Sequence, residues 1–413
     1  MVSTVWPEAT SSAAGVRTMQ LIQGFQKWWP GSKIHVTSTS APNRHCTVLE
    51  RSGVTCSQIT LNRNLSIQEL VTDCRPDVVV FDRFLAEEQF SHGIKSHWPK
   101  ALTILDTQDI HSWRRARKAC IKQGGSVSAS FNTRPLLTQP DFLRELASIH
   151  RTDLSLLVGS SEKDLLIEHG VPSSKLAMAP FFYQQIEAQK FQNFGNRRDF
   201  VSIGNFMHEP NLDSLMWLID SGLWRDILTR VPDAEIHIYG AYAPTAFIQK
   251  VKNIKGIVFK GFTEDLNILE RYRVLLAPLR YGAGVKGKIV DAWRYGTPVV
   301  TTPIGSENMT DPISNEWGGS WSGTTKEELC NAAVNLYTDE SLWISAQASG
   351  CKLANDYFCN PDILNRLKFK VEDHIENLDS FRSADAFQSI LWHQTNRSTE
   401  YFSRWIELKE TSN

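Results

Sequence analysis

Short apolar runs alternate with longer amphipathic stretches along most of the chain. Runs at 33–38, 76–81, 101–105 and 155–158 are bounded by turn residues and read as buried strands, after a very short first strand within 1–6 and before the stretch 175–180 that ends this series. Between them, 17–28, 67–74, 84–95 and 141–153 carry apolar residues at helical spacing. A second series follows, with strands at 199–203, 234–240, 256–262, 273–278 and 297–302. Its helices are expected over 212–228, over 288–295 with Gly296 as terminator, over 325–357 and from about 375 to 410. Strand–helix alternation of this kind implies parallel sheets and the α/β class. The glutamine-rich stretch 184–198 reads as a connection, which predicts one domain over 1–185 and another over 198–375.

Parallel sheets bind ligands beyond the carboxyl ends of their strands. Asp82, Arg83, Asp106, Asp109 and His111 all follow strand ends and are expected on one rim. Arg114, Arg115, Arg117 and Lys118 read as a solvated helix face, with an anionic-acceptor site as the alternative. The polar stretch 121–140 reads as a mobile cleft loop, and Ser160-Ser-Glu162 as the capped start of a helix.

The densest chemistry lies between the strands at 273–278 and 297–302. Gly282, Gly284 and Gly287 are interleaved with Lys286 and Lys288 at the start of a helix. Glycines admit close backbone approach, and a helix N-terminus offers unpaired N–H groups and partial positive charge. Together with the lysines this points to phosphate. Asp291 lies about one turn beyond Lys288, so both can face one ligand. The glycines also satisfy G-x-G-x-x-G with Glu307 as the distant acid, which would suit an NAD-dependent oxidoreductase. That match stands alone, falls late in the chain, and leaves two lysines and an aspartate without a task. The plainest alternative is a βαβ unit whose lysines are merely solvated.

Composition narrows the picture only slightly. The chain has 413 residues, 41% hydrophobic and 22% charged, with net charge −1, so the overall balance shows no nucleic-acid signal. Seven scattered cysteines without C-x-x-C spacing, no signal-peptide pattern and no apolar run of membrane-spanning length suggest a cytoplasmic protein. The glycosylation sequons at Asn64, Asn308 and Asn396 are then chance matches.

In one register, Gly282-Ala-Gly284-Val-Lys286-Gly-Lys288-Ile-Val-Asp291-Ala292, followed by Gly296-Thr-Pro298-Val-Val300-Thr-Thr302, resembles the signature of retaining GT-B glycosyltransferases of family four. Ala14-Gly15-Val16-Arg17 is similar to the family's loop after the first strand. Gly204-Asn205-Phe-Met-His208-Glu-Pro-Asn211 resembles its loop below the donor pyrophosphate. The resemblance implies two Rossmann-like domains facing across a cleft, the second holding a nucleoside diphosphate sugar and the first a saccharide or other hydroxyl acceptor. It implies that Lys286 and Lys288 neutralise the leaving phosphate, that Asp291 holds the ribose, and that Phe262 lies near the base. Backbone N–H groups of Ala283, Gly284 and Val285 bind the sugar or phosphate where relatives carry a glutamate. Gly15, Arg17, Gly204 and Asn205 line the cleft, and His111 with Asp109 faces the sugar. No metal or other cofactor is implied. The last helix, 376–413, is expected to cross back onto the first domain, anchored by Trp392 and Trp405. A catalytically silent nucleotide-binding protein of the same fold stays open, as does peripheral contact with a membrane.

Overall fold

The structure, a computed structural model, describes residues 1–61, 64–187, 191–310, 317–318 and 323–411. The first sheet consists of β1 (Val2–Ser3), β2 (His35–Ser38), β3 (Thr55–Gln58), β4 (Val78–Asp82), β5 (Leu102–Asp106), β6 (Leu154–Leu157) and β7 (Leu176–Met178). All pairings are parallel and the spatial order is β3-β2-β1-β4-β5-β6-β7. Parallel neighbours need crossovers long enough for a helix. These are α1 (Ala13–Trp28), α2 (Arg44–Arg51), α3 (Asn64–Cys74), α4 (Arg83–His97), α5 (His111–Lys122), α6 (Val127–Asn132), α7 (Pro140–Arg151) and α8 (Ser160–Glu168). Every position of β5 and β6 is buried, as expected for strands covered on both faces. One face packs Phe81, Phe90 and Phe142 together, and the other packs Leu21, Leu102 and Leu154.

The second sheet holds β8 (Arg198–Ile203), β9 (Ile236–Tyr239), β10 (Ile257–Gly261), β11 (Tyr272–Ala277) and β12 (Val299–Thr301), again parallel, in the order β10-β9-β8-β11-β12. Its helices include α9 (Glu209–Asp220), α10 (Leu223–Arg230), α11 (Thr245–Val251), α12 (Gly287–Arg294), the short α13 (Pro303–Ser306), α14 (Lys326–Thr338) and α15 (Glu340–Tyr357). Both domains are therefore doubly wound α/β, as the strand–helix alternation predicts. The single helix expected over 212–228 is two, because Gly222 at φ +77° turns the chain between α9 and α10. The pattern at 325–357 likewise divides at Asp339, whose side chain caps α15 by accepting from Leu342 N.

Three further expectations change. The stretch 121–140 carries α6 and does not line the cavity between the two sheets. Ser160 and Ser161 do not cap α8; Gly159 is its N-cap, and Glu162 points into the interior. Trp405 is exposed and anchors nothing, whereas Trp392 is buried and donates to Arg151 O at 2.9 Å.

The return to the first domain begins with α16 (Pro361–Glu376), whose Leu367 and Val371 join the core against β7. α17 (Leu378–Ala384) adds Arg382, which forks onto the Asp153 carboxylate at 2.8 and 2.7 Å. α18 (Ala386–Thr411) then packs on α7. Among the described residues, no helix is long and apolar enough to cross a membrane.

Candidate active site

The two sheets present their strand carboxyl ends to a common cavity of about 480 Å³, within the usual range for small-molecule sites. In each sheet the order reverses beside the first strand, between β1 and β4 and between β8 and β11. Such switch points open a crevice for ligands. The segments after β1, β4, β8 and β11 all reach the cavity.

On the second-domain side, β11 leads into the glycine-rich loop and α12 follows at Gly287. Lys288 is thus the second residue of a helix, half-buried, rather than an exposed loop residue. Its Nζ donates to Asn211 Oδ1 at 2.8 Å, and Asn211 Nδ2 donates to Asn205 O at 2.8 Å. Lys286 is buried and donates to Gly284 O at 2.6 Å. Desolvation pulls both lysines down to about 8, opposed at Lys286 by Glu307. Asp291 lines the same cavity and is pushed up to about 6 by burial, against the pull of Arg294 and a hydrogen bond from Tyr183 Oη at 3.2 Å. Gly204, Asn205, Phe262, Ala283 and Val285 also line the cavity. The Asn205 side-chain oxygen is committed to Met207 N at 2.8 Å.

On the first-domain side, Asp109 and His111 close the rim, with His111 Nε2 3.2 Å from Asp109 Oδ1 and the Asp109 carboxylate also held by Arg114. Burial alone would raise the Asp109 carboxyl, but the Arg114 guanidinium holds it below its usual range. Desolvation drops His111 to about 3 despite Asp109, so the imidazole is neutral at ordinary pH. Gln108, at φ +62°, ties the rim together by donating to Asp82 Oδ1 at 3.1 Å and to Asp106 Oδ2 at 3.0 Å. Arg17 lies beneath, fully buried and paired with Asp106.

Sequence reading missed the groups that hold this rim. The N-cap of α5 is Ile110, which has no capping side chain. Glu145 on α7 supplies the cap instead, accepting from His111 N at 2.7 Å and Ser112 N at 2.8 Å. Glu162 on α8 accepts from Ile110 N at 2.9 Å. Burial raises Glu145 to about 7 and Glu162 to about 8. A signal existed: Glu145 falls on the apolar stripe Phe142, Leu146, Ile149, where a solvated acid has no place.

One glycine behaves otherwise than expected. Gly284, at φ +64°, does not line the cavity; a Cβ there would lie 2.9 Å from Val158 Cγ2 and 3.0 Å from Asp109 Cβ. Its lack of a side chain lets the two domains touch. Gly15 lines the cavity, yet its N–H is taken by Ser12 Oγ at 3.1 Å and a Cβ would collide with the Glu8 backbone. The basic cluster on α5 is not a solvated face either. Arg117 is fully buried, Arg114 is bound to Asp109, Arg115 pairs with Asp141, and Lys118 reaches across to Glu209. The G-x-G-x-x-G loop follows the fourth strand of its domain, and its middle glycine faces protein, so it is not built as a pyrophosphate turn. Among the described residues one group could ligate a metal, Asp199, Glu235 and His237, at the amino ends of β8 and β9, away from the cavity.

Residues 197–339 match the model of the family described as glycosyl transferases group 1. No curated protein matches the chain significantly in sequence. Among solved structures, HepE of Anabaena in complex with UDP and glucose aligns with a TM-score of 0.64 at 12% identity, covering 90% of this chain and 98% of that one. Sucrose-phosphate synthase from Thermosynechococcus elongatus aligns at 0.65 with 11% identity, covering 90% and 98%. A mutant of S. aureus TarM, in complex with fondaparinux, alpha-GlcNAc-glycerol and UDP, aligns at 0.57 with 12% identity, covering 74% and 58%. At such identities the likeness is one of fold, and the fold is GT-B. The family match covers the second domain, and the GT-B architecture extends over both.

Proposed function

We propose that the chain transfers a hexosyl group from a nucleoside diphosphate sugar to a hydroxyl of a saccharide or other acceptor, with retention and without a metal ion, in the cytoplasm. The carrying observation is that Lys286, Lys288 and Asp291 of one domain share a single cavity with Asp109 and His111 of the other. Transfer breaks the bond from the anomeric carbon to the diphosphate oxygen and forms one to the acceptor oxygen. Negative charge grows on the departing diphosphate. Two ammonium groups, both desolvated by burial, and the N-terminus of α12 oppose that charge, and desolvation strengthens such electrostatic stabilisation. Asp291 accepts hydrogen bonds from the ribose. Neutral His111 hydrogen-bonds a sugar or acceptor hydroxyl rather than acting as an acid. The proton of the attacking hydroxyl passes to the departing phosphate oxygen, which removes the need for a carboxylate pair of the glycosidase kind. All seven cysteines are unpaired, in keeping with a reducing compartment.

The test is a thermal-shift panel of UDP, GDP and ADP, their sugars, and NAD. Anabaena HepE and S. aureus TarM were both solved with UDP, which puts uridine nucleotides first. One diphosphate and its sugar are expected to raise the melting temperature through linked binding, followed by transfer to a hydroxyl acceptor. Stabilisation by NAD alone would sink the reading, and nucleotide binding without transfer to any acceptor would favour the silent alternative.

A further inference from the structure

Arg117 belongs to the first domain, 165 residues from the glycine-rich loop, yet it is among the most completely buried side chains of the protein. Its guanidinium forks onto the Glu307 carboxylate of the second domain at 2.6 and 2.8 Å. The same Nη1 donates to Gly282 O at 2.8 Å, and Nη2 donates to Phe131 O at 3.1 Å. The Trp113 ring lies beneath the guanidinium, 4.4 Å from Cζ, and Phe131 flanks it. The segment 121–140 thus covers this arginine, through α6.

A single side chain therefore grips both ends of the second domain's site segment: the carbonyl that opens the glycine loop and the acid that follows β12. Neighbouring contacts reinforce the grip. Ala283 packs into the first domain's core, and Asn308 Oδ1 accepts from Ser161 N at 3.0 Å. Asn308 adopts φ +63°, a left-handed conformation that asparagine takes more readily than most residues.

We propose that Arg117 is a positioning residue for sugar transfer: it fixes the Gly282–Val285 backbone against the His111 loop, so that the groups of both domains meet at one reacting centre. The proposal rests on the transferase reading. Arg117 does not line the cavity itself, so its effect runs through the loop it holds. Only arginine suits the position, because a lysine ammonium cannot fork onto a carboxylate and reach a carbonyl in one plane.

The test pairs Arg117→Met/Glu307→Gln, which removes both charges together, with Arg117→Lys. Calorimetry with the nucleoside diphosphate that stabilises the parent, transfer kinetics and amide exchange are measured on each. The double variant is expected to bind the bare diphosphate within about threefold of the parent while kcat falls about tenfold or more, the scale of a misplaced reacting group. Amide exchange over 282–285 is expected to quicken about tenfold or more, a readout that stands even if the parent transfers no sugar. Arg117→Lys is expected to show an intermediate fall in kcat with KM for the donor little changed. Parental kcat together with parental exchange in the double variant overturns the proposal. If the double variant does not fold, parental kcat and exchange in Arg117→Lys overturn it instead. A parent that binds no nucleoside diphosphate sinks the transferase reading alone, and the exchange result still decides what Arg117 holds.

Discussion

Gly284 and Asp109 are 175 positions apart in sequence, but a single methyl group fits between them only if a neighbour shifts: a Cβ on Gly284 would stand 3.0 Å from Asp109 Cβ. The loop after β11 and the loop after β5 are therefore in direct contact, and the cavity they border belongs to both domains. Gly284→Val is expected to destabilise the protein by about 1–3 kcal/mol through overpacking, with added strain at φ +64°. Transfer falls, while calorimetry shows nearly unchanged affinity for the bare nucleoside diphosphate. Lost affinity at an unchanged melting temperature would instead mean that the missing side chain makes room for ligand.

Lys288 stands in the first turn of α12 with its ammonium on Asn211 Oδ1. Lys288→Ala is expected to cut kcat about a hundredfold or more, the scale of losing one stabiliser of developing charge. Folding should survive, since removing a half-buried lysine leaves Asn211 the option of water. Unchanged transfer kinetics would remove Lys288 from the reacting centre.

Much of this was legible in the sequence, for identifiable reasons. Strands such as Val78–Asp82 and Leu102–Asp106 are buried on both faces, so their apolar runs are unambiguous. That Lys286, Lys288 and Asp291 would share one cavity was legible because loop and helix are local in sequence and a spacing rule covers them. The misses have two causes, a missing apolar pattern and partners remote in sequence. Thr55–Gln58 is an edge strand with exposed and half-buried positions, so it lacks the apolar signature. Arg117 looked solvated because its partners, Glu307 and Gly282, lie in the other domain, where no local periodicity reaches. Glu145 gives no local sign of its role as a cap because the N–H groups it caps belong to another helix.

That cap yields a separate prediction. Glu145→Ala leaves the amides of His111 and Ser112 without their partner, at about 1–3 kcal/mol for each unpaired buried group. Glu145→Gln keeps one acceptor oxygen and is expected to retain more of both stability and transfer. Because burial raises Glu145 to about 7, ionising it in the folded state is costly, and the stability contributed by its neutral form declines as pH rises from the ordinary carboxylate range through about 7. Chemical denaturation across pH 5 to 8 should show a shallower decline in Glu145→Gln than in the parent. Equal slopes would mean that Glu145 carries its charge throughout.

The pH dependence of transfer separates Asp291 from His111. Asp291, raised to about 6 by burial, must be ionised for both its oxygens to accept hydrogen bonds from the ribose hydroxyls, so kcat/KM should climb as pH rises through about 6. Lys286 and Lys288, lowered to about 8 by desolvation, must be protonated to oppose phosphate charge, so kcat/KM should fall as pH passes about 8. The profile is then a bell. His111 would ordinarily titrate near its acid limb, but desolvation holds it neutral down to about 3, so it should contribute no limb in this range. Asp291→Asn is therefore expected to weaken donor binding and flatten the acid limb. His111→Asn is expected to lower transfer at every pH, leave the limb in place, and spare affinity for the bare nucleoside diphosphate, since its contact is to sugar or acceptor. If the acid limb disappears in His111→Asn and survives in Asp291→Asn, the imidazole is the titrating group and both assignments fail together.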